Sequence, residues 1–166
     1  MGERKLGQEK VRYTGVVDVN IVLVSLFENP LRESGIDFLG EVLSGNKPAA
    51  IPASTLLGAY HIATRYLGCS KDLIAREIEE ILSLDSPAFV EDISIEAVKE
   101  AVNIAMAHNI ESWDGYLVAL ARSFKAPVIY SLDYDFKKIP DISLVVPFSE
   151  ESVKEYHRWV EDLFRR

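Results

Sequence analysis

The sequence contains few of the residues that build disulfides and zinc sites. Cys69 is the single cysteine, so an internal disulfide cannot form. It follows Gly68 without a cysteine or histidine at ligand spacing, and we interpret it as a buried or idle thiol. The three histidines, His61, His108 and His157, are far apart in the chain. This distribution disfavours a zinc site, which needs several nitrogen or sulfur ligands.

Long apolar runs and an excess of positive charge are also absent. No apolar run approaches ~20 residues, so we expect no membrane-spanning helix, and the polar first 14 residues do not resemble a secretory signal. We therefore expect a cytoplasmic protein. The net charge of −8 argues against a broad basic surface for nucleic acid. It is compatible with a nuclease, because a carboxylate site meets phosphate once cations fill it.

The chain length and patterning indicate one α/β domain. The 166 residues are 48% hydrophobic and contain no linker or repeat. We assign residues 1–14 to an N-terminal arm and 15–166 to the domain. The predicted strands are 15–18, 49–52, 88–90, 127–130 and 144–146. The predicted helices are 20–28, 33–44, 55–67, 71–82, 94–108, 112–125 and 149–164. Short apolar strands separated by helices predict a parallel sheet covered on both faces, a three-layer α/β/α sandwich.

Four aspartates fall where such sheets bind ligands, beyond the carboxyl ends of the strands. Asp18 ends the first strand, and Asp133 and Asp135 follow the fourth. Asp114 lies in the first turn of the helix that leads to the fourth strand. If the first and fourth strands are neighbours, all four carboxylates converge on one crevice. An all-oxygen ligand set favours Mg²⁺ or Mn²⁺.

Each carboxylate except Asp18 also has an ordinary structural explanation. Asp114 is placed to interact with a helix dipole, and Asp133 and Asp135 are placed for turn hydrogen bonds. Asn20, two residues after Asp18, is as well placed to cap the first helix as to take part in a site. Asp18 is harder to explain, because an unpaired carboxylate at a buried strand end is costly.

Three segments resemble the PIN-domain family, to which the VapC toxins belong. The resemblance covers nearly the whole chain from Val16 to Val146, and its motifs occur in the family's order and spacing. The segments are residues 17–20 (VDVN), 113–121 (WDGYLVALA) and 131–136 (SLDYDF).

The resemblance implies a parallel five-stranded sheet in the order 3-2-1-4-5 and a metal-dependent ribonuclease. Asp18, Asp114 and Asp133 would hold Mg²⁺ or Mn²⁺, with Asp135 nearby. Asn20 and Ser131 would hydrogen-bond the carboxylates or the phosphate. The family also implies RNA as substrate, a homodimer and an antitoxin whose segment lies across the acidic groove.

The chain departs from the family at one position. The family usually carries a glutamate in the helix after the second strand, and Gly58 stands there. The loss of this carboxylate weakens the expected metal site, and Glu111 or His61 are candidate substitutes. A second hypothesis is therefore a catalytically weakened PIN module that binds RNA or protein.

A third hypothesis is an aspartyl-phosphate protein of the response-regulator or haloacid-dehalogenase kind, with Asp18 as the phosphorylated residue. Asn20 stands where a dehalogenase would carry a second aspartate, and Pro147 follows the last strand where a receiver would carry lysine. No basic residue stands out as a phosphate clamp. Arg65, Arg122 and Lys125 are candidates only because they lie on relevant helices.

Overall fold

A computed structural model describes residues 11–91 and 93–165 of the chain. In these ranges it contains five strands, seven α-helices and a 3₁₀ helix. The strands are β1 Gly15–Val17, β2 Ala49–Pro52, β3 Phe89–Val90, β4 Val128–Tyr130 and β5 Ser143–Val145. The α-helices are α1 Val19–Ser25, α2 Arg32–Leu43, α3 Ala53–Arg65, α4 Lys71–Ser83, α5 Ile95–His108, α6 Ser112–Phe124 and α7 Glu150–Phe164, and the 3₁₀ helix is Tyr134–Lys138.

The strands form a parallel sheet in the order β3-β2-β1-β4-β5, which confirms the predicted fold class and strand order. β1 lies in the centre and pairs with β4, Val17 being opposite Tyr130. A receiver-type protein would have the order 2-1-3-4-5, so the sheet excludes that part of the third hypothesis.

Helices cover both faces of the sheet because neighbouring side chains of a strand point to opposite sides. Val17 belongs to the core that includes Ile21 of α1 and Leu56 of α3. Val16, one residue earlier, belongs to the core that includes Leu117 of α6 and Ile129 of β4. The sheet is therefore the middle of three layers.

Two boundaries that flank α1 differ from the sequence prediction, and the other predicted boundaries agree with the structure to within two residues. β1 ends at Val17, and Asp18 is the N-cap of α1, its carboxylate accepting a hydrogen bond from the Val19 N–H. α1 ends at Ser25 instead of near residue 28. The side-chain amide of Asn29 donates to the carbonyl oxygens of Val24 and Phe27, at 2.8 and 2.7 Å. Those bonds satisfy one carbonyl group in the last turn of the helix and one just beyond its end.

The residues just before β1 contact the domain. The Tyr13 hydroxyl donates to the carbonyl oxygen of Pro87 at 2.7 Å, and the Thr14 N–H donates to that of Pro48 at 2.7 Å. The predicted arm, residues 1–14, otherwise lies largely outside the described residues, and its boundary stays a prediction. Within the described ranges, no helix is both long and apolar enough to cross a bilayer.

Candidate active site

Asp18 stands at the carboxyl end of β1, beside the loop that follows β4. Its N–H donates to the carbonyl oxygen of Tyr130, the last residue of β4, at 3.0 Å. Its side chain is almost completely buried, with 4% exposed. The neighbouring strands β1 and β4 therefore bring Asp18 next to Ser131 and the two aspartates that follow it.

Three donors hold the Asp18 carboxylate. The Val19 N–H donates to Oδ1 at 2.6 Å, while the Ser131 hydroxyl and the Asn20 amide donate to Oδ2 at 2.6 and 2.9 Å. Burial nevertheless raises the pKa of Asp18 to about 6, and the negative charge of Asp133 adds to the rise, while these three hydrogen bonds oppose it. Desolvation of the anion therefore outweighs its local hydrogen bonding.

Asn20 and Ser131 tie the two loops together. The Asn20 amide oxygen accepts a hydrogen bond from the Leu132 N–H at 3.0 Å, and the Ser131 hydroxyl oxygen accepts one from the Asp133 N–H at 2.9 Å. The Asn20 amide nitrogen also donates to Ser131 Oγ at 3.0 Å. Asn20 therefore does not cap α1, a role that Asp18 has.

Asp114 lies in the first turn of α6 and is buried, with 8% exposed. Burial raises its pKa to about 7, and the charges of Asp18, Asp133, Glu111 and Asp135, in descending order, raise it further. Among the described residues no side chain or N–H donates a hydrogen bond to it. A helix N-terminus favours an anion, so the raised pKa shows that burial and like charge outweigh the dipole here.

Asp133 makes the turn contact expected of aspartate after a strand, whereas Asp135 makes an ion pair. Oδ1 of Asp133 accepts a hydrogen bond from the Asp135 N–H at 2.8 Å and caps the 3₁₀ helix. Asp135 forms an ion pair with Lys138 at 3.0 Å. The turn explanation therefore holds for Asp133, and both residues also contribute negative charge around Asp114.

The donor chemistry of this carboxylate cluster fits a hard divalent cation. In the described part of the chain, no lysine or arginine forms an ion pair with Asp18, Asp114 or Asp133, so their mutual repulsion is not balanced locally. Within the same residues, no three carboxylate, histidine or cysteine side chains already stand at the spacing of a complete metal site. The fit therefore rests on the oxygen donors and their unbalanced charge.

Gly58 of α3 faces the residue that follows Asp18. A Cβ atom built on Gly58 would lie 3.1 Å from Cγ2 of Val19. The family's missing glutamate would thus project from a position next to the first turn of α1. Of the two candidate substitutes, Glu111 is close enough to raise the pKa of Asp114, whereas the His61 ring packs edge-on against Tyr66 at the end of α3.

The candidate phosphate clamps Arg122 and Lys125 lie at the other end of the sheet. Both line a cavity of about 300 Å³ that includes Pro127, which precedes β4. Arg122 also makes a bidentate contact with Asp141, at 2.8 and 2.7 Å. The carboxylates follow the opposite end of β4, so these two cations are not placed to bind a substrate there.

Two site features were missed by the sequence reasoning. The contact of Gly58 with Val19 depends on how α3 packs against α1, and no local sequence pattern predicts that packing. The exposed Tyr134 ring lines a groove, and Tyr134 stands between Asp133 and Asp135 in the chain. The position of an aromatic residue between two aspartates in a predicted loop could have indicated an exposed ring at the site.

Comparisons with known proteins identify the family and the fold. A sequence model of the PIN domain matches residues 16–142. A similar solved structure is a chain described as "Toxin-antitoxin complex from Klebsiella pneumoniae", with a TM-score of 0.55 and 20% identity. The similarity covers 81% of this chain and 98% of that one. At this identity it shows the fold alone. The search of curated proteins found no match.

Proposed function

The chain belongs to the PIN-domain family, and from that premise we propose that it is a Mg²⁺- or Mn²⁺-dependent ribonuclease that hydrolyses RNA phosphodiester bonds internally. Members of the family are generally nucleases that use divalent metal ions. The observation that carries the proposal is the buried carboxylate Asp114, whose pKa is raised first by burial and then by the charges of the neighbouring Asp18, Asp133 and Asp135. Such a cluster is stabilised by a divalent cation.

In this proposal Asp18, Asp114 and Asp133 hold the cation, directly or through water. When bound, the metal supplies an acidified water nucleophile and charge neutralisation at the scissile phosphate. Ser131 and Asn20 keep Oδ2 of Asp18 in one orientation, so that Oδ1 and Oδ2 have fixed directions. Asp135, paired with Lys138, adds negative charge at the rim.

The proposal extends to a toxin–antitoxin role. The similar solved chain is described as part of such a complex, and an acidic groove attracts a basic side chain of a partner protein. We place the antitoxin segment over Asp114 and Asp133. A homodimer is also proposed, because α5 exposes the apolar side chains Ile95, Val98 and Met106 on one side.

The test is RNA cleavage by metal-free protein as Mn²⁺ is added. The native chain should cleave, and the variants Asp18→Asn and Asp114→Asn should not. Asp37→Asn, which changes an exposed aspartate of α2, is the matched control and should cleave normally. Cleavage that persists unchanged in both site variants excludes these carboxylates as the active site.

The weakened module remains the second candidate because Gly58 replaces an acid of the family. It predicts that Mn²⁺ binds and RNA binds, yet metal-loaded protein leaves RNA intact. The comparisons give the dehalogenase-like hypothesis no support, because the family model that matches the chain is that of the PIN domain. Stable labelling of Asp18 by a phosphoryl donor is the result that would favour it.

A further inference from the structure

A groove of about 490 Å³ lies between the 3₁₀ helix, the end of β5 and α7. We call it the Tyr134 groove. The residues of its lining that offer contacts to a ligand include Tyr134, Phe148, Glu150, Lys154 and His157. Its volume lies in the range of small-ligand sites, ~300–1,000 Å³.

The groove adjoins the proposed active site through Tyr134. This residue stands between Asp133 and Asp135, and its side chain is 53% exposed. Nζ of Lys137 lies 4.7 Å from the centre of the Tyr134 ring. An exposed aromatic ring therefore adjoins the proposed metal ligand Asp133 in the chain, and a cation follows four residues after it.

The other side of the groove supplies apolar surface and positive charge. Phe148 is partly buried, and Lys154 and His157 are exposed on α7. Lys154 makes no ion pair with any residue of the described ranges. These residues lie beyond residue 142, where the match to the family model ends.

We infer that the Tyr134 groove binds a nucleobase of single-stranded RNA next to the scissile phosphate, an inference that rests on the proposed ribonuclease function. An unpaired base presents a flat face that stacks on an aromatic ring. Lys137 and Lys154 attract the flanking phosphates, which the acidic cluster would otherwise repel. The Glu150 carboxylate is an acceptor for an exocyclic amino group of the base.

A base can stack in the groove only when it is free of its duplex partner, so we expect the groove to bind single-stranded RNA in preference to duplex RNA. A base within a duplex is covered on both faces by its neighbours and does not reach a side groove. The base that enters the groove would position the adjacent phosphate at Asp18 and Asp114. The occupant is thus a nucleotide of the substrate and not a separate ligand.

The test measures RNA binding without cleavage. A short fluorescein-labelled single-stranded RNA is titrated with metal-free protein in chelator, and binding is followed by fluorescence anisotropy. Tyr134→Ala should weaken binding about tenfold, the typical value of one base–aromatic stack. Tyr134→Phe should bind within about twofold of the native chain, because the ring is kept. Tyr66→Ala, an exposed tyrosine at the end of α3, is the control and should bind normally.

A second variant tests the cation independently of the ring. Lys154→Gln should lower the slope of log affinity against log salt by about 0.7, the value for one phosphate contact on a single strand. Lys71→Gln, at the exposed start of α4, should leave the slope unchanged. A duplex of the same sequence should bind the native chain and Tyr134→Ala equally.

The inference is overturned if Tyr134→Ala binds single-stranded RNA as the native chain does, or if Tyr134→Phe is as weak as Tyr134→Ala. It is also overturned if the native chain binds no single-stranded RNA, even where Mn²⁺-dependent cleavage persists. Tyr134-dependent binding in a protein that never cleaves RNA has the opposite meaning. It supports the groove and rejects the ribonuclease proposal, so the two failures are distinguishable.

Discussion

The Ser131 hydroxyl donates a 2.6 Å hydrogen bond to Oδ2 of Asp18, and the two residues are 113 positions apart in the chain. The same hydroxyl oxygen accepts hydrogen bonds from the Asp133 N–H and the Asn20 amide. One fully buried side chain thus joins the loop after β1 to the loop after β4. The orientation of a proposed metal ligand depends on it.

Removal of this hydroxyl should therefore affect both stability and activity. Ser131→Ala removes three hydrogen bonds and leaves the Asp133 N–H without its partner, so it should cost about 1–3 kcal/mol in the free energy of unfolding. Urea denaturation provides the measurement, and RNA cleavage should fall in parallel. Ser25→Ala is the matched control, since Ser25 is also buried but donates only to the carbonyl oxygen of Val22. Equal effects of the two variants would contradict a special role for Ser131.

The metal-free protein should lose stability as pH rises from about 4 to about 7. The folded-state pKa values of Asp18 and Asp114 are about 6 and about 7, above the ordinary value of 3.8. In this window the folded state holds protons that the unfolded state has released, so the free energy of unfolding falls with pH. The loss is on the order of 3 kcal/mol for Asp18 alone.

Thermal unfolding in chelator, recorded from pH 4 to pH 8, measures this loss. Addition of Mn²⁺ at pH 8 should raise Tm again, because the cation favours the ionised carboxylates of the folded state. A Tm that stays constant over this range would show that ionisation of the cluster does not destabilise the metal-free protein.

Asp114→Asn should stabilise the metal-free protein at pH 8 while it abolishes function. The substitution removes a buried charge that faces Asp18 and Asp133 and receives no hydrogen bond from the described residues. We expect a gain of about 1–2 kcal/mol, or several degrees in Tm for a domain of this size. Mn²⁺ should no longer raise Tm. Asp37→Asn, at an exposed position of α2, should change neither quantity.

Gly58→Glu should strengthen metal binding. The new side chain starts beside Val19, whose Cγ2 must move by a few tenths of an ångström to admit a Cβ atom. Because a methyl group of a side chain can make that shift, we expect the variant to fold. Mn²⁺ affinity, measured by calorimetry, should rise over the native chain.

Gly58→Gln is the control for the charge of the new side chain. It introduces the same length and the same contact with Val19 but no negative charge. If Gly58→Gln binds Mn²⁺ as tightly as Gly58→Glu, the gain does not come from a restored carboxylate. If neither variant exceeds the native chain, position 58 is not part of the metal site.

Gly115→Ala and Gly40→Ala should have opposite effects on stability. A Cβ atom on Gly115 would collide with the backbone carbonyl of Ala101 in α5, and a backbone group cannot move aside cheaply. We expect a loss of at least about 1–3 kcal/mol. A Cβ atom on Gly40 of α2 meets nothing within 4 Å, so alanine there should stabilise by up to ~1 kcal/mol. Chemical denaturation of both variants checks the contrast.

Much of the fold follows from local patterns in the chain. The apolar pair Val16 and Val17 predicts β1, and Ser94 and Ser149 predict the starts of α5 and α7, where their side chains indeed accept from Ala97 and Ser152 N–H groups. The end of α1 was missed because the Asn29 amide binds the carbonyl oxygens of Val24 and Phe27. A side chain's choice of acceptor does not follow from the hydrophobic period.

The candidate site divides in the same way. The positions of Asp18, Asp114 and Asp133 relative to strands and helices could be predicted, because ligands bind beyond the carboxyl ends of parallel strands. The role of Asn20 stayed open between capping and bridging, since both are local possibilities for that residue. The hydrogen bond that Asn20 accepts from the Leu132 N–H identifies the bridging role, and it exists only because β1 and β4 are neighbours.

By itself, the sequence determined the strand and helix pattern, the family motifs and the acidic residues at the strand ends, because each depends on neighbours within a few positions. Only the tertiary structure decided that Ser131 and Asn20 hold Asp18, that Gly58 lies against Val19, and that Tyr134 borders a groove. Burial and electrostatic repulsion depend on distances through space. They join residues that are more than a hundred positions apart in the chain.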